Sequence, residues 1–310
     1  DANLARLALR SLALFDELSP ERALVELSGL LLLARTPERF GPLASSARAV
    51  GTPHVIETPE QVSARLSGLT TRGWHGLYTP SGGVLDIHAL TEVLVRASRG
   101  LGVEIRCGVG AVEVTTNDAR VVGVQTASLE RVAADDVIFA AGAWNGELGE
   151  SAGVPLPLTP VRRHLALLEP QRVFPSGVPP VWSLDDEVYF RREGQRVLAS
   201  PCDETAWSTR VPQPELECLA PLGSKLGGID DSLGRARVAR YWACLRTFAP
   251  DRRPVIGSDP RVSGLHWLAG LGGFGMTIGV AAGELLAQSF LGRQPPPELA
   301  PERLLFGRRG

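Results

Sequence analysis

Apolar residues recur along the chain at two spacings, which predict a mixture of helices and strands. Four segments carry them three and four positions apart, as amphipathic helices do: residues 2–16, 58–67, 86–101 and those from Met276 onward. Thr58 and Asp86 stand at the start of two of these segments, and both residue types commonly cap a first helical turn. Residues 213–227 and 231–234 are interpreted as polar connectors or further helices.

Short apolar or alternating runs predict the strands. They cover residues 27–34, 76–78, 103–106, 110–115, 120–126, 128–133, 136–144, 161–168, 181–190, 196–200 and 265–269. Helices alternate with buried strands on both sides of residues 154–240, which favours an α/β fold with a partly parallel sheet. Within residues 154–240 strand follows strand, so that part is expected to be mainly antiparallel.

Composition excludes several classes of protein. The 310 residues are 44% hydrophobic and 21% charged with a net charge of −2, which is ordinary for a globular protein and gives no basis for nucleic-acid binding. No apolar run approaches the roughly 18 residues that span a bilayer. The five histidines include no pair at metal-ligand spacing, so no metal is expected. The four cysteines lie far apart in the sequence and predict buried, reduced thiols. Reduced thiols indicate a cytoplasmic protein, which could also associate peripherally with the inner face of a membrane.

A glycine cluster follows the predicted strand 265–269. Gly270, Gly272, Gly273 and Gly275 stand between that strand and the helix from Met276. A strand, glycines and a helix start in this order direct backbone N–H groups and a helix dipole at a ligand. A tight turn without a ligand is the alternative explanation.

Motifs around this cluster resemble a known family. The chain carries Trp242, Leu245 and Arg246, then Asp251, Pro254, Ile256 and Gly257, and then the glycines. This order resembles the carboxyl-terminal part of the FAD-dependent D-amino-acid oxidase/dehydrogenase superfamily, the glycine and sarcosine oxidase clan. The loop 79–83 and the segment 136–144, which contains A-A-G-A-W, match the same family. Cys244 stands where the family usually has glycine.

The resemblance implies a domain organisation and a cofactor. A Rossmann-like FAD-binding domain would comprise residues 76–155 and 241–310, and a mainly antiparallel β substrate domain would comprise 1–75 and 156–240. The positions that match FAD contacts are Ala111, Ala141, Gly142, Trp144, Gly272, Gly273, Phe274, Gly275, Met276 and Thr277. Close packing of strand against helix is the alternative reason for Ala141 and Gly142.

Within the family the chain resembles D-arginine dehydrogenase-like D-amino-acid dehydrogenases in particular. This resemblance implies that Arg246 binds the substrate carboxylate, with help from Arg163 and Tyr189, and that the carbonyl of Gly273 accepts from the substrate amine. A guanidinium group suits a carboxylate because it donates two parallel hydrogen bonds. Only one of Arg162 and Arg163 can face inward if they lie on a strand, and Tyr189 could be a core residue.

Two departures from the family pattern qualify these expectations. The G-x-G-x-x-G unit that opens the family does not occur in these 310 residues, so the FAD domain is expected to be incomplete at its amino-terminal side. Leu30 to Leu33 stand near the place where the D-arginine enzymes carry an acid, which favours substrates with neutral or apolar side chains.

The expected activity is FAD-dependent oxidation of the Cα–N bond of a D-amino acid or glycine-like amine. Two alternatives stay open: oxidation of a 2-hydroxy acid by the same fold, and a flavin-free fragment or subunit that pairs with a partner chain. The electron acceptor could be oxygen, a quinone or a dye.

Overall fold

The computed structural model describes residues 1–110, 112–171 and 174–305. Within these residues the helices are α1 (Ala2–Leu18), α2 (Gly41–Ala49), α3 (Pro59–Arg65), α4 (Ile87–Gly100), α5 (Asn145–Ser151), α6 (Leu219–Gly227), α7 (Asp231–Gly234), α8 (Gly275–Ser289) and α9 (Glu302–Leu305). The strands are β1 (Val25–Glu26), β2 (Leu30–Ala34), β3 (Val55–Glu57), β4 (His75–Thr79), β5 (Val84–Leu85), β6 (Val112–Asn117), β7 (Arg120–Thr126), β8 (Arg131–Ala133), β9 (Val137–Phe139), β10 (Thr159–Glu169), β11 (Val181–Ser183), β12 (Val188–Glu193), β13 (Arg196–Ser200), β14 (Thr205–Ala206), β15 (Arg237–Phe248), β16 (Val255–Ser258) and β17 (Leu265–Ala269). Short 3-10 helices occupy Pro37–Phe40, Gly142–Trp144, Leu216–Cys218 and Gly272–Phe274.

Local sequence signals account for the helix starts. Thr58 and Gln61 form a capping box at the start of α3, each side chain bonding the other residue's backbone N–H. The Asp86 side chain accepts a hydrogen bond from the N–H of Ala89 at 2.9 Å, so Asp86 caps the first turn of α4. The predicted helix starts at Thr58 and Asp86 are therefore confirmed.

The largest sheet is mainly antiparallel, as predicted. Among the described residues it has nine strands in the order β14-β10-β13-β12-β11-β2-β4-β3, and β15 pairs with β10 as well. β10 and β15 run antiparallel along their whole length, whereas β11 and β2 are parallel. β4 and β15 both belong to this sheet, so the predicted boundaries at 76 and 241 fall within or at the edge of its strands. The division into two domains stays a prediction.

The two faces of this sheet differ in burial. One face packs against α6 and α7 and is fully buried along the sheet; its side chains include Leu31, Val181, Phe190, Ala199 and Ala166. Side chains alternate between faces along each strand, so the neighbours of these residues project from the other face. That second face carries half-buried residues, which include Leu32, Trp182, Tyr189, Leu198 and Leu167. We call it the open face.

Two smaller sheets complete the described strands. β17 lies between β16 and β9, and its pairing with β9 is parallel. Phe139 and Trp267 meet edge to face between these two strands, with ring centroids 5.1 Å apart. β6, β7 and β8 form an antiparallel meander in the region of the predicted strands 110–115, 120–126 and 128–133.

Three expectations from the sequence are wrong. Residues 103–106 form no strand, because no described strand pairs with them, and their apolar side chains Val103 and Ile105 are exposed. Residues 181–190 are not one strand but the antiparallel pair β11 and β12, separated by a turn. Cys107 is exposed, and the other cysteines are only half-buried.

Candidate functional site

Two strand-to-helix turns lie at the same edge of the parallel pair β9 and β17. Each strand is followed by a short 3-10 helix that begins at a glycine with positive φ, and then by an α-helix; the glycines are Gly142 (φ 58°) and Gly272 (φ 56°). Because carboxyl ends of parallel strands meet at one edge of a sheet, both turns face the same side. β15 contacts both short helices and brings the large sheet to this edge.

The second turn combines tight packing with open space. A Cβ on Gly272 would lie 2.4 Å from a ring carbon of Phe248, so the ring occupies the place of a side chain there. A Cβ on Gly273 would meet nothing within 4 Å. Phe274, which caps α8, makes no side-chain cap hydrogen bond, so its side chain satisfies none of the free N–H groups of the first helical turn. Phe274 and Met276 leave apolar surface exposed beside these amides.

The first turn is held by a buried asparagine. Asn145 is fully buried, and its Oδ1 accepts from the N–H of Ala141 at 2.9 Å, which closes the turn around Gly142. Its Nδ2 has no hydrogen-bond partner among the described residues. A Cβ on Gly142 would meet open space, and Trp144 is 47% exposed.

These features fit a flat, anionic dinucleotide such as FAD. Open positions at two glycines allow a ligand to approach the backbone, and the amides of α8 suit an electronegative edge. Nine of the ten predicted FAD positions lie in the two turns or in the first turn of α8: Ala141, Gly142, Trp144, Gly272, Gly273, Phe274, Gly275, Met276 and Thr277. Ala111, the tenth, lies outside the described residues.

Arg246 is a half-buried cation on the open face. It pairs with Val161 in the ladder, and its guanidinium donates to the carbonyl of Leu245 at 2.9 Å and lies beside the Cys244 side chain. Across the described ranges no carboxylate lies within ion-pair distance of it. Burial lowers the pKa of Arg246 from its usual value, and the positive charge of Arg163 acts in the same direction. An arginine in this state is well suited to receive an external anion.

Arg163 projects from the same face but already has a carboxylate. Arg163 pairs with Cys244, two residues along each strand from the pairing of Val161 with Arg246, so both arginines lie on the open face. The Nη2 of Arg163 lies 2.5 Å from an oxygen of Glu204, and its Nε donates to the carbonyl of Asp203 at 3.2 Å.

Arg162 projects to the opposite face. It is 4% exposed, forms a two-pronged ion pair with Glu215 at 2.6 Å and lies over the ring of Trp207. Arg162 and Arg163 are therefore each paired with a glutamate, and their side chains lie on opposite faces of the sheet.

The open face continues from the arginines toward aromatic and aliphatic residues. Tyr189 and Trp182 are paired across β12 and β11, and their ring centroids lie 6.5 Å apart. Trp182 is in turn paired with Leu32 on β2. Burial raises the pKa of Tyr189 to about 12, so its phenol is protonated at neutral pH. The face thus places Arg246, Arg163 and Tyr189 on one surface.

Sequence reasoning missed Glu204, Asn145 and Trp182. Glu204 and Asn145 lie beside predicted site residues in the chain, at a turn and at a helix start, but their partners are set by the fold. Within the described part of the chain no group of three or more metal-ligating side chains is found. No helix among these residues is long and apolar enough to cross a membrane.

The geometry indicates a class of protein: two strand-to-helix turns that fit a dinucleotide lie at one edge, and an arginine-bearing antiparallel sheet reaches the same edge. Comparison of the chain with family models gives the family. Residues 1–289 match the model described as DAO, FAD dependent oxidoreductase, and the chain belongs to that family.

Individual relatives agree with this assignment. A D-amino acid dehydrogenase of Bradyrhizobium diazoefficiens is 28% identical over 242 residues, which are 77% of this chain and 56% of that protein. A glycine oxidase of Pseudomonas putida is 30% identical over 186 residues, 59% of this chain and 49% of that protein. The chain thus spans about half the length of these curated relatives.

A solved structure shares the fold. L-proline dehydrogenase from P. horikoshii superimposes with a TM-score of 0.86 over 98% of this chain and 84% of that chain, at 21% sequence identity.

Proposed function

We propose that the protein takes part in FAD-dependent oxidation of the Cα–N bond of an amino acid with a neutral side chain, a D-amino acid or a glycine-like amine. The observation that carries the proposal is Arg246, a half-buried cation without a carboxylate partner among the described residues, on a strand that contacts both glycine turns. Family membership and the names of the curated relatives support the reaction type.

In this proposal the two parts of the chain have separate tasks. Residues 76–155 and 241–310 bind FAD, chiefly through the two turns, and residues 1–75 and 156–240 bind the substrate on the open face. Arg246 on β15 adds its guanidinium to that substrate site from the FAD-binding part. FAD, when bound, supplies the acceptor for the hydride that leaves the substrate Cα. The amine also loses a proton, and the resulting imine is hydrolysed by water.

The contributions of the chain's own residues are binding and orientation. Arg246 binds the substrate carboxylate with two parallel hydrogen bonds and thereby directs Cα toward the glycine turns. The phenol O–H of Tyr189 donates a hydrogen bond to the same carboxylate, since the phenol stays protonated at neutral pH. The carbonyl of Gly273 accepts from the amine.

The substrate side chain would lie against Leu32 and Trp182. Both project from the open face beside Tyr189, and neither carries a carboxylate that could form an ion pair with a cationic side chain. A neutral or apolar side chain is therefore the best match for this part of the face.

The test compares Arg246→Ala with Arg240→Ala, a matched control on the same face of β15 that is exposed and lies over Trp242. Dye reduction by purified protein with FAD is measured with D-alanine, D-leucine, glycine and the corresponding carboxylate-free amines. Loss of a buried charged partner costs about 2–5 kcal/mol, so kcat/KM for the amino acids should fall about 30- to 4,000-fold in Arg246→Ala.

The control variant should keep the wild-type value, and Arg246→Ala should have little effect on the amines because they lack the carboxylate. A protein that binds no FAD, or that reduces dye with none of these substrates, would contradict the proposal. An equal loss with amino acids and amines would instead remove Arg246 as the carboxylate ligand.

A further inference from the structure

Glu204 lies between two arginines at the edge of the open face. Its Oε1 is 2.5 Å from the Nη2 of Arg163 and 2.8 Å from the Nη2 of Arg252, and its Oε2 accepts from the Nη1 of Arg252 at 2.9 Å. Both oxygens are thus engaged by guanidinium groups. A carboxylate held at several points by charged donors has a well-defined position.

Arg252 contacts Phe248 as well as Glu204. Its backbone has φ 60°, and its guanidinium lies 3.9 Å from the ring centroid of Phe248. The same ring fills the space in front of Gly272. The Glu204 carboxylate is therefore joined to the second glycine turn as well as to Arg163.

The two arginines of the open face are unequal as anion sites because of Glu204. Arg163 has a carboxylate partner at 2.5 Å, whereas Arg246 has none among the described residues. An incoming carboxylate at Arg163 would compete with Glu204 for the guanidinium, whereas at Arg246 the described partners are the neutral carbonyl of Leu245 and the Cys244 side chain.

We propose that Glu204 is a positioning residue that occupies Arg163 with an internal carboxylate and so directs the substrate carboxylate to Arg246. This inference rests on the proposed function and concerns the same site. It assigns Glu204 an action through Arg163, without contact with substrate or cofactor. Without Glu204, the anion could bind at either arginine or between them, and Cα would be held in more than one position.

The test is Glu204→Gln, which keeps the shape of the side chain and removes its charge. The control is Glu217→Gln, an exposed glutamate with no ion pair in the described part of the chain. Propionate, a carboxylate without an amine, serves as the binding probe and is titrated by calorimetry into protein with FAD. Turnover with D-alanine gives KM and kcat separately.

In Glu204→Gln, propionate should bind about tenfold more tightly, because Arg163 becomes available to it. Turnover should fall several-fold in kcat, while KM falls or stays constant. Structural damage would act in the opposite direction, since a disordered site binds the anion more weakly and raises KM. The Glu217→Gln variant should match the wild type in all three quantities.

The decisive comparison repeats the exchange in an Arg163→Met background. There Glu204 has no open-face arginine to occupy, so Glu204→Gln should no longer tighten propionate binding. Unchanged or weaker binding in the single variant, or an undiminished effect in the double variant, overturns the inference. Propionate binding decides this even if no amino acid is oxidised, a result that would overturn the proposed function alone.

Discussion

Replacing Gly272 by alanine tests whether the second turn is shaped by strain and packing together. The residue has φ 56°, a conformation that L-amino acids adopt at a cost of about 1–2 kcal/mol. The new Cβ would lie 2.4 Å from Cε1 and 2.9 Å from Cδ1 of Phe248. That ring cannot move freely, because it is 8% exposed and is covered by Arg252 at 3.9 Å.

The chain offers two glycines that separate these effects. Gly142 has nearly the same φ, 58°, but a Cβ there would meet nothing within 4 Å, so its replacement costs the backbone strain alone, about 1–2 kcal/mol. Gly273 has no positive φ and also faces open space, so alanine there should change stability by less than about 1 kcal/mol. Gly272→Ala adds the displacement of a packed ring, about 1–3 kcal/mol, for a total of about 2–5 kcal/mol.

Urea denaturation of the three alanine variants, followed by fluorescence and circular dichroism, measures the order of these losses. We expect Gly272→Ala to have the lowest midpoint, Gly142→Ala an intermediate one and Gly273→Ala the wild-type value. If Gly272→Ala is no less stable than Gly142→Ala, the ring yields without cost and the packing argument fails. If Gly273→Ala loses as much as Gly142→Ala, positive φ is not the source of the strain.

Three further predictions concern other parts of the molecule. Gly149→Ala should lower the free energy of unfolding in urea by about 1–3 kcal/mol, because its Cβ would lie 2.6 Å from the fully buried ring of Trp267; wild-type stability would show that the ring can shift. Burial raises the pKa of Asp259, but hydrogen bonds from Arg261 and Trp267 outweigh it and hold the pKa below its usual range. Its contribution to stability is thus complete above about pH 4 and lost as the pH falls through its folded value, and Asp259→Asn should flatten this acid loss in thermal melts between about pH 4 and 2; an unaltered acid slope would contradict this. Tyr189→Phe should raise KM and leave the pH profile of turnover between about pH 6 and 10 unchanged, because the tyrosine pKa is about 12; a changed alkaline limb would show that the phenol titrates in that range.

Local features of the fold could be predicted from the sequence, because neighbouring residues determine them. Thr58 with Gln61, and Asp86 with the N–H of Ala89, satisfy helix N–H groups within one turn of the chain. The glycines from Gly270 to Gly275 likewise indicated a turn between strand and helix.

Features that depend on distant partners could not be predicted in the same way. Val103 and Ile105 alternate as in a strand, yet a strand requires a neighbour to satisfy its backbone, and no described strand lies beside them. Asn145 follows a recognisable turn sequence, but its bond to Ala141 depends on the path of that turn.

The arginine pair shows where sequence reasoning stops for the site. Alternation along β10 requires that Arg162 and Arg163 project from opposite faces, and this much follows from the sequence. The sequence does not show which face of the sheet is packed. It also does not show that each arginine has a glutamate partner, which lies 53 residues away for Arg162 and 41 for Arg163. Arg162 and Arg163 thus each have a carboxylate partner, whereas Arg246 has none among the described residues. The role of Arg246 is predicted from the family resemblance and stays a prediction; the carboxylate partners of the other two arginines are visible only in the three-dimensional arrangement.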